Sequence, residues 1–135
     1  MIALLVIWAD SWDVDAFLRA YPSLRVSRRW RVGEPRKPTG ASRNSGFQVE
    51  LAESEDWEHL ISTALGELDS LREVVAAARG LSANAVLDFA VSVGDEDHFT
   101  RTVTFSLPQL RKLVAAGIEI SLTAYPTSSD DENAP

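Results

Sequence analysis

An apolar stripe at helical spacing in the middle of the chain is the feature that most constrains the fold. Between residues 57 and 78, apolar side chains recur three and four positions apart, so they lie on one side of an α-helix. The stripe comprises Trp57, Leu60, Ile61, Ala64, Leu65, Leu68, Leu71, Val75 and Ala78. Ser54 precedes it as an N-cap candidate and Gly80 follows it as a stop signal. We therefore predict one long helix that ends near Arg79 and packs against a β-sheet.

Short runs rich in β-branched and aromatic residues on both sides of this helix predict the strands of the sheet. The predicted strands are Ile2–Trp8, Leu24–Val32, Phe47–Ala52, Ala85–Val93, Phe99–Phe105 and Glu119–Tyr125. The first of them is apolar throughout, which predicts a central strand buried on both faces. Two shorter helices are predicted, one over Val14–Ala20 and one that opens with the capping box Ser106–Gln109 and ends at Gly117.

The order of these elements, β-α-β-β-α-β-β-α-β, predicts the class of fold. It indicates an α+β single-domain sandwich, with a largely antiparallel sheet and helices packed on one face. We predict that residues 1–125 form this domain and that 126–135 form a disordered acidic tail.

Composition excludes several classes of protein. The chain has 135 residues and no cysteine, so it can bury a core without disulfides, and thiolate catalysis and cysteine-bound zinc are excluded. The first apolar run is too short to cross a bilayer and lacks the basic start of an export signal. We therefore expect a soluble cytoplasmic protein that does not bind membranes.

The charge of the chain is divided unevenly. Seven of the 13 Lys and Arg residues lie between positions 25 and 43, a segment that we call the basic arm, although the net charge of the chain is −7. The candidate partner-binding residues of the arm are Arg25, Arg29, Arg31, Arg36, Lys37 and Arg43. The first three share one face of the second predicted strand. They either bind phosphate or carboxylate groups of a partner, or pair with acids of this chain on a solvated face.

Two further sets of side chains are candidates for contact with a partner. Glu58, Glu67 and Glu73 lie on the polar back of the long helix, which is either a solvated surface or one that meets a basic partner. Trp12 either anchors an interface or packs against the core, and Trp30 either stacks a ligand or forms part of a structural turn.

Sequence motifs of enzymes are absent. The chain contains no nucleophile elbow, phosphate-binding loop or dinucleotide fingerprint, and its two histidines lie near no promising serine. The acidic turn Asp95–His98 lacks the spacing of a calcium-binding loop. We therefore predict no catalytic residue, no metal site and no cofactor.

The turn Trp30-x-x-Gly33-Glu34, the polar Gly/Pro-rich loop after it and the strand start Ser45-Gly46-Phe47 resemble a known pattern. They are similar to the bacterial domain of unknown function 4279 family, which carries a Trp-x-x-Gly-Glu turn before a Gly-aromatic strand start. The resemblance covers almost the whole chain, although Phe47 stands where the family more often has Trp. It implies no reaction, and it implies an immunity role in toxin systems for some members.

Charge and resemblance together lead to two hypotheses on function. The first is a non-enzymatic protein-interaction domain, a bacterial immunity protein that neutralises a cognate toxin by stoichiometric binding. The second is a regulator that binds a small ligand or a nucleic acid through the arm, residues 25–43. The net negative charge argues against nucleic acid as a partner of the surface as a whole.

Overall fold

The computed structural model describes residues 1–37 and 39–127, and in it a five-stranded sheet carries four helices on one face. The strands are β1 (Ile2–Ala9), β2 (Arg28–Trp30), β3 (Ser45–Glu53), β4 (Asn84–Val93) and β5 (Glu119–Pro126). The helices are α1 (Val14–Arg19), α2 (Trp57–Ser70), α3 (Arg72–Gly80) and α4 (Leu107–Ala116). The predicted α+β class is confirmed.

The strands lie in the order β2-β3-β1-β4-β5. The central strand β1 pairs antiparallel with β3 and with β4, and β2 pairs antiparallel with β3. β5 pairs parallel with β4, because the chain crosses over through α4 before it returns to the sheet. The sheet is therefore largely antiparallel, with one parallel edge.

The core lies between the helices and one face of the sheet, which we call the covered face. Its largest fully buried sheet side chains are Leu5, Ile7, Phe47, Leu87 and Phe89. The stripe of α2 packs against them through Leu60, Ile61 and Ala64. The prediction that β1 is buried on both faces was wrong, since its even-numbered side chains, from Ile2 to Trp8, are only half-buried. We call their side of the sheet the open face.

The single long helix predicted from the stripe is two helices, with a break at Leu71. Ser70 turns its Oγ back to donate to the carbonyl oxygen of Glu67 at 2.7 Å, a bond that competes with the helical backbone ladder. Leu71 then leaves helical geometry (φ −102°, ψ 11°), and α3 begins without a side-chain cap. The apolar stripe continues across the break, so the periodicity alone conceals it.

The second predicted strand, Leu24–Val32, is shorter in the structure. Only Arg28–Trp30 pairs with β3, because the residues before it form local turns in which the amide of Val26 donates to the carbonyl oxygen of Leu24 (3.1 Å). Among the described residues, β3 therefore has no strand partner on this side from Val49 onwards. This free edge becomes part of a groove.

The predicted strand Phe99–Phe105 was wrong, because side chains rather than a backbone ladder hold this segment in place. Arg101, whose side chain is only 9% exposed, donates from Nε to the carbonyl oxygen of Ser92 (2.5 Å). Its Nη2 pairs with Glu55 at 3.3 Å. The edge of β4 that a hairpin would have used is taken by β5 instead.

The last strand extends slightly beyond the end predicted for it. β5 reaches Pro126, and the amide of Thr127 donates to the carbonyl oxygen of Val93 at 2.8 Å. The remainder of the predicted disordered tail, residues 128–135, lies outside the described residues. In the part of the chain that the structure describes, no helix is both long enough and apolar enough to span a bilayer.

Candidate functional site

The basic arm is divided between two sides of the sheet. Arg29 pairs through Nη1 with the carboxylate of Asp15 on α1 at 3.1 Å. Arg31 donates from Nε to the same carboxylate at 2.5 Å and from Nη1 to Glu34 at 2.9 Å. These two arginines pair with acids of their own chain, which is the alternative to binding a partner that the sequence left open for this part of the arm.

The position of Asp15 is set by the start of α1. Asp13 caps this helix, because its carboxylate accepts a hydrogen bond from the amide of Ala16 at 2.9 Å. The hydrogen bonds from Arg31 hold the pKa of Asp15 below its ordinary value, and the charge of Arg29 acts in the same direction. The folded state therefore prefers the ionised carboxylate, which stabilises the fold above the ordinary aspartate pKa. That contribution is lost as the pH falls through the lowered pKa.

Removing the charge of Asp15 should lower stability near neutral pH only. We expect Asp15→Asn to reduce the midpoint of urea unfolding at pH 7, and the difference from the wild type to shrink as the pH is lowered from 7 through the lowered pKa of this carboxyl. Asp10→Asn, at an exposed position, removes the same charge and should leave the midpoint unchanged. An equal loss for Asp15→Asn at both ends of this range would show that its charge is not what matters.

Backbone hydrogen bonds connect the two ends of the loop between β2 and β3. Gly33, with φ +87°, forms the turn, and its amide donates to the carbonyl oxygen of Ser42 at 2.8 Å. The amide of Ser42 in turn donates to the carbonyl oxygen of Glu34 at 2.8 Å. Lys37 and Arg43 are exposed on this loop.

The other part of the arm flanks a small cleft on the open face, which we call the tryptophan cleft. The cleft has a volume of about 220 Å³. Its lining residues are Val6, Trp8, Arg28, Trp30, Arg36, Ser42, Asn44 and Gln48. Trp30 is half-buried here, on the side of the sheet that faces away from the helices.

A larger concavity, which we call the acidic groove, lies where residues 21–25 pass the junction of α2 and α3. It has a volume of about 570 Å³ and opens beside the free edge of β3. Glu67 and Glu73 line it with exposed side chains, Glu50 lies on β3 at its edge, and Arg25 is the one basic residue of its lining. The apolar part of the lining consists of Tyr21, Leu24, Val49, Leu51, Leu71 and Val74.

The structure brings two of the three candidate glutamates together and separates the third. Glu67 and Glu73 both line the acidic groove, whereas Glu58 is exposed on the first turn of α2 and lines a different concavity. Trp12 packs against the core, since its Nε1 donates to the carbonyl oxygen of Ser45 at 2.6 Å and its ring lies 5.0 Å from that of Phe17.

Three residues of these sites were not identified from the sequence. Glu50 was not identified because the longer β2 predicted from the sequence would have paired with this part of β3. Trp8 was not identified as a site residue because β1 was predicted to be buried on both faces. Arg28 lies on the opposite face of the strand from Arg29 and Arg31. Because side chains two positions apart in a strand share a face, the spacing of Arg28 and Trp30 in the sequence already indicates that they lie together.

Neither a search for metal-binding side chains nor comparison with known proteins assigns a function to these sites. The described residues contain no group of three or more His, Cys, Asp or Glu side chains that could hold a metal ion. Comparison with protein-family models, with curated proteins and with solved structures found no match to this chain. The resemblance to the domain of unknown function 4279 family therefore stays a prediction.

Proposed function

We propose that the chain is a non-enzymatic binding protein of the immunity type, which neutralises a toxin by holding a basic segment of it in the acidic groove. The observation that carries this proposal is that Glu67 and Glu73, which belong to different helices, both line one groove that also has an apolar lining. Such a groove can bury the aliphatic stem of a Lys or Arg side chain while the carboxylates bind its charged end.

The three acidic residues of the lining belong to different elements. Glu67 lies near the end of α2, Glu73 in the first turn of α3, and Glu50 on β3. The break at Leu71 lets the two helices contribute from either side of one concavity. A basic side chain that enters the groove would therefore meet carboxylates on more than one side, which is the arrangement that strengthens charge-assisted hydrogen bonds.

The charges of the groove are available to a partner. Among the ion pairs of the described residues, none involves Glu50, Glu67 or Glu73. The net charge of −7 attracts a basic partner over longer distances and accelerates its capture. A nuclease toxin would present a suitable surface, because an active site that binds nucleic acid must attract phosphate.

Reversing the groove charges should weaken binding to the toxin. The partner is first isolated by affinity capture from the native host and identified, and its binding is then measured by calorimetry with the full chain. We expect the double variant Glu67→Lys and Glu73→Lys to bind at least about tenfold more weakly, which corresponds to about 1.4 kcal/mol. The association rate of the wild type should fall as salt screens the exposed charges.

A matched variant separates the groove from the general charge of the chain. Glu58→Lys combined with Glu96→Lys changes the net charge by the same amount at exposed positions that do not line the groove. We expect this variant to keep most of the affinity. Equal losses in both double variants would reject the groove as the binding site, and the absence of any stoichiometric protein partner would reject the proposed function itself.

A further inference from the structure

We propose that the tryptophan cleft binds a small aromatic anion, a flat ring that carries a carboxylate or a phosphate group. This site lies on the open face and shares no residue with the acidic groove, so it does not depend on the immunity function. Three features of the cleft support this proposal: the packing of Trp30 on Gly46 beside Trp8, the hydrogen bond that orients Trp30, and two arginines that form no ion pair within the described residues.

A glycine allows the Trp30 indole to pack against the sheet beside Trp8. Trp30, Gly46 and Trp8 lie side by side on β2, β3 and β1 as one cross-strand row. A Cβ atom at position 46 would lie 2.6 Å from Cζ2 of Trp30 and 2.9 Å from Cβ of Trp8. The missing side chain therefore lets the Trp30 ring lie directly on the sheet, where it forms an apolar wall of the cleft against which a flat ring can pack.

The orientation of Trp30 is fixed before any ligand arrives. Its Nε1 donates to Oδ1 of Asn44 at 2.7 Å. The guanidinium carbon of Arg28 lies 5.5 Å from the centre of the Trp30 ring, which is the distance of a cation–π contact. Asn44 itself lines the cleft. A site held in this way loses little conformational entropy when it binds.

The cleft keeps positive charge in a chain that is rich in acids. The chain has 20 Asp and Glu residues, and Arg29 and Arg31 both pair with Asp15. In contrast, Arg28 and Arg36 take part in none of the ion pairs found among the described residues. Two guanidinium groups beside the indoles are suited to the planar oxygens of a carboxylate or to a phosphate.

The size of the cleft limits the ligand. A volume of about 220 Å³ is below the range of roughly 300–1,000 Å³ that is usual for drug-sized ligands, so a single ring with its acid group is the occupant that fits. The carboxamide of Gln48 lies in the row next to the indoles, between Arg28 and Val6, and can bind a polar substituent of the ring.

The test uses phenyl phosphate as the probe and compares its binding with that of phenol and of inorganic phosphate, the two parts of the molecule. The full chain is labelled with ¹⁵N, and the indole N–H signals of its four tryptophans are followed during titration with phenyl phosphate, inorganic phosphate or phenol. We expect phenyl phosphate to shift the signals of Trp8 and Trp30 and to bind at least tenfold more tightly than either half. Benzoate, run in parallel, distinguishes a preference for carboxylate from one for phosphate.

Arginine variants show whether the anion binds where the geometry places it. We expect Arg28→Gln combined with Arg36→Gln to weaken phenyl phosphate at least tenfold, while the remaining signals of the spectrum show that the fold is intact. Arg111→Gln, at an exposed position on α4, removes a positive charge outside the cleft and should bind like the wild type. The proposal is overturned if the Trp8 and Trp30 signals do not move, if inorganic phosphate binds as tightly as phenyl phosphate, or if the double variant binds normally.

Discussion

Phe89→Ala should destabilise the fold by about 3–5 kcal/mol, the range found when a large aromatic side chain is removed from a closed core. Phe89 is 0% exposed on the covered face of β4. Its ring centre lies 4.8 Å from that of Trp57 and 5.6 Å from that of Phe105. The substitution therefore leaves a cavity and also removes two aromatic contacts, one to α2 and one to the irregular segment before α4.

The measurement is the free energy of unfolding in urea, with circular dichroism as the readout. Phe99→Ala is the matched control, because Phe99 is 80% exposed and should change the stability by less than about 0.5 kcal/mol. Similar losses at both positions would contradict the packing described for Phe89. A loss below about 1 kcal/mol at Phe89 would mean that the segment before α4 collapses into the cavity.

Gly46→Ala should also destabilise the fold, by about 1–3 kcal/mol or more, because the added methyl group has no room. A Cβ atom there would lie 2.5 Å from the carbonyl oxygen of Ile7, which belongs to the central strand and cannot move without disturbing the sheet. Trp30 and Trp8 would both have to shift as well. The same substitution should therefore alter the indole signals of the tryptophan cleft.

The control for Gly46 is the same chemical change at a glycine with space around it. Gly66 lies within α2 and is exposed, and a Cβ atom added to it would meet nothing within 4 Å. Gly66→Ala should stabilise the fold by about 0.5–1 kcal/mol, since alanine restricts the unfolded chain and favours the helix. Opposite signs in urea unfolding are the expected result, and a loss of stability in both variants would contradict the steric explanation.

Sequence alone determined the features that depend on neighbouring residues. The capping box before α4 forms as predicted, with Ser106 Oγ accepting from the amide of Gln109 at 3.3 Å and Gln109 Oε1 accepting from the amide of Ser106 at 2.8 Å. Gly117 ends that helix in the left-handed conformation, with φ +69°. The stripe of α2 is buried where its periodicity placed it, because a 3.6-residue repeat sets one side of a helix whatever it packs against.

The tertiary structure decided which of the locally plausible surfaces are covered. Alternation in β1 defines two faces but does not say that only one of them receives helices. The segment that includes Arg101 forms no strand because β5 occupies the edge of β4, and Arg101 contacts Glu55, 46 residues away. The basic arm is divided because Asp15 on α1 pairs with two of its arginines. The tryptophan cleft follows from such a distant pairing, because Trp30, Gly46 and Trp8 lie too far apart in the chain for local periodicity to bring them together.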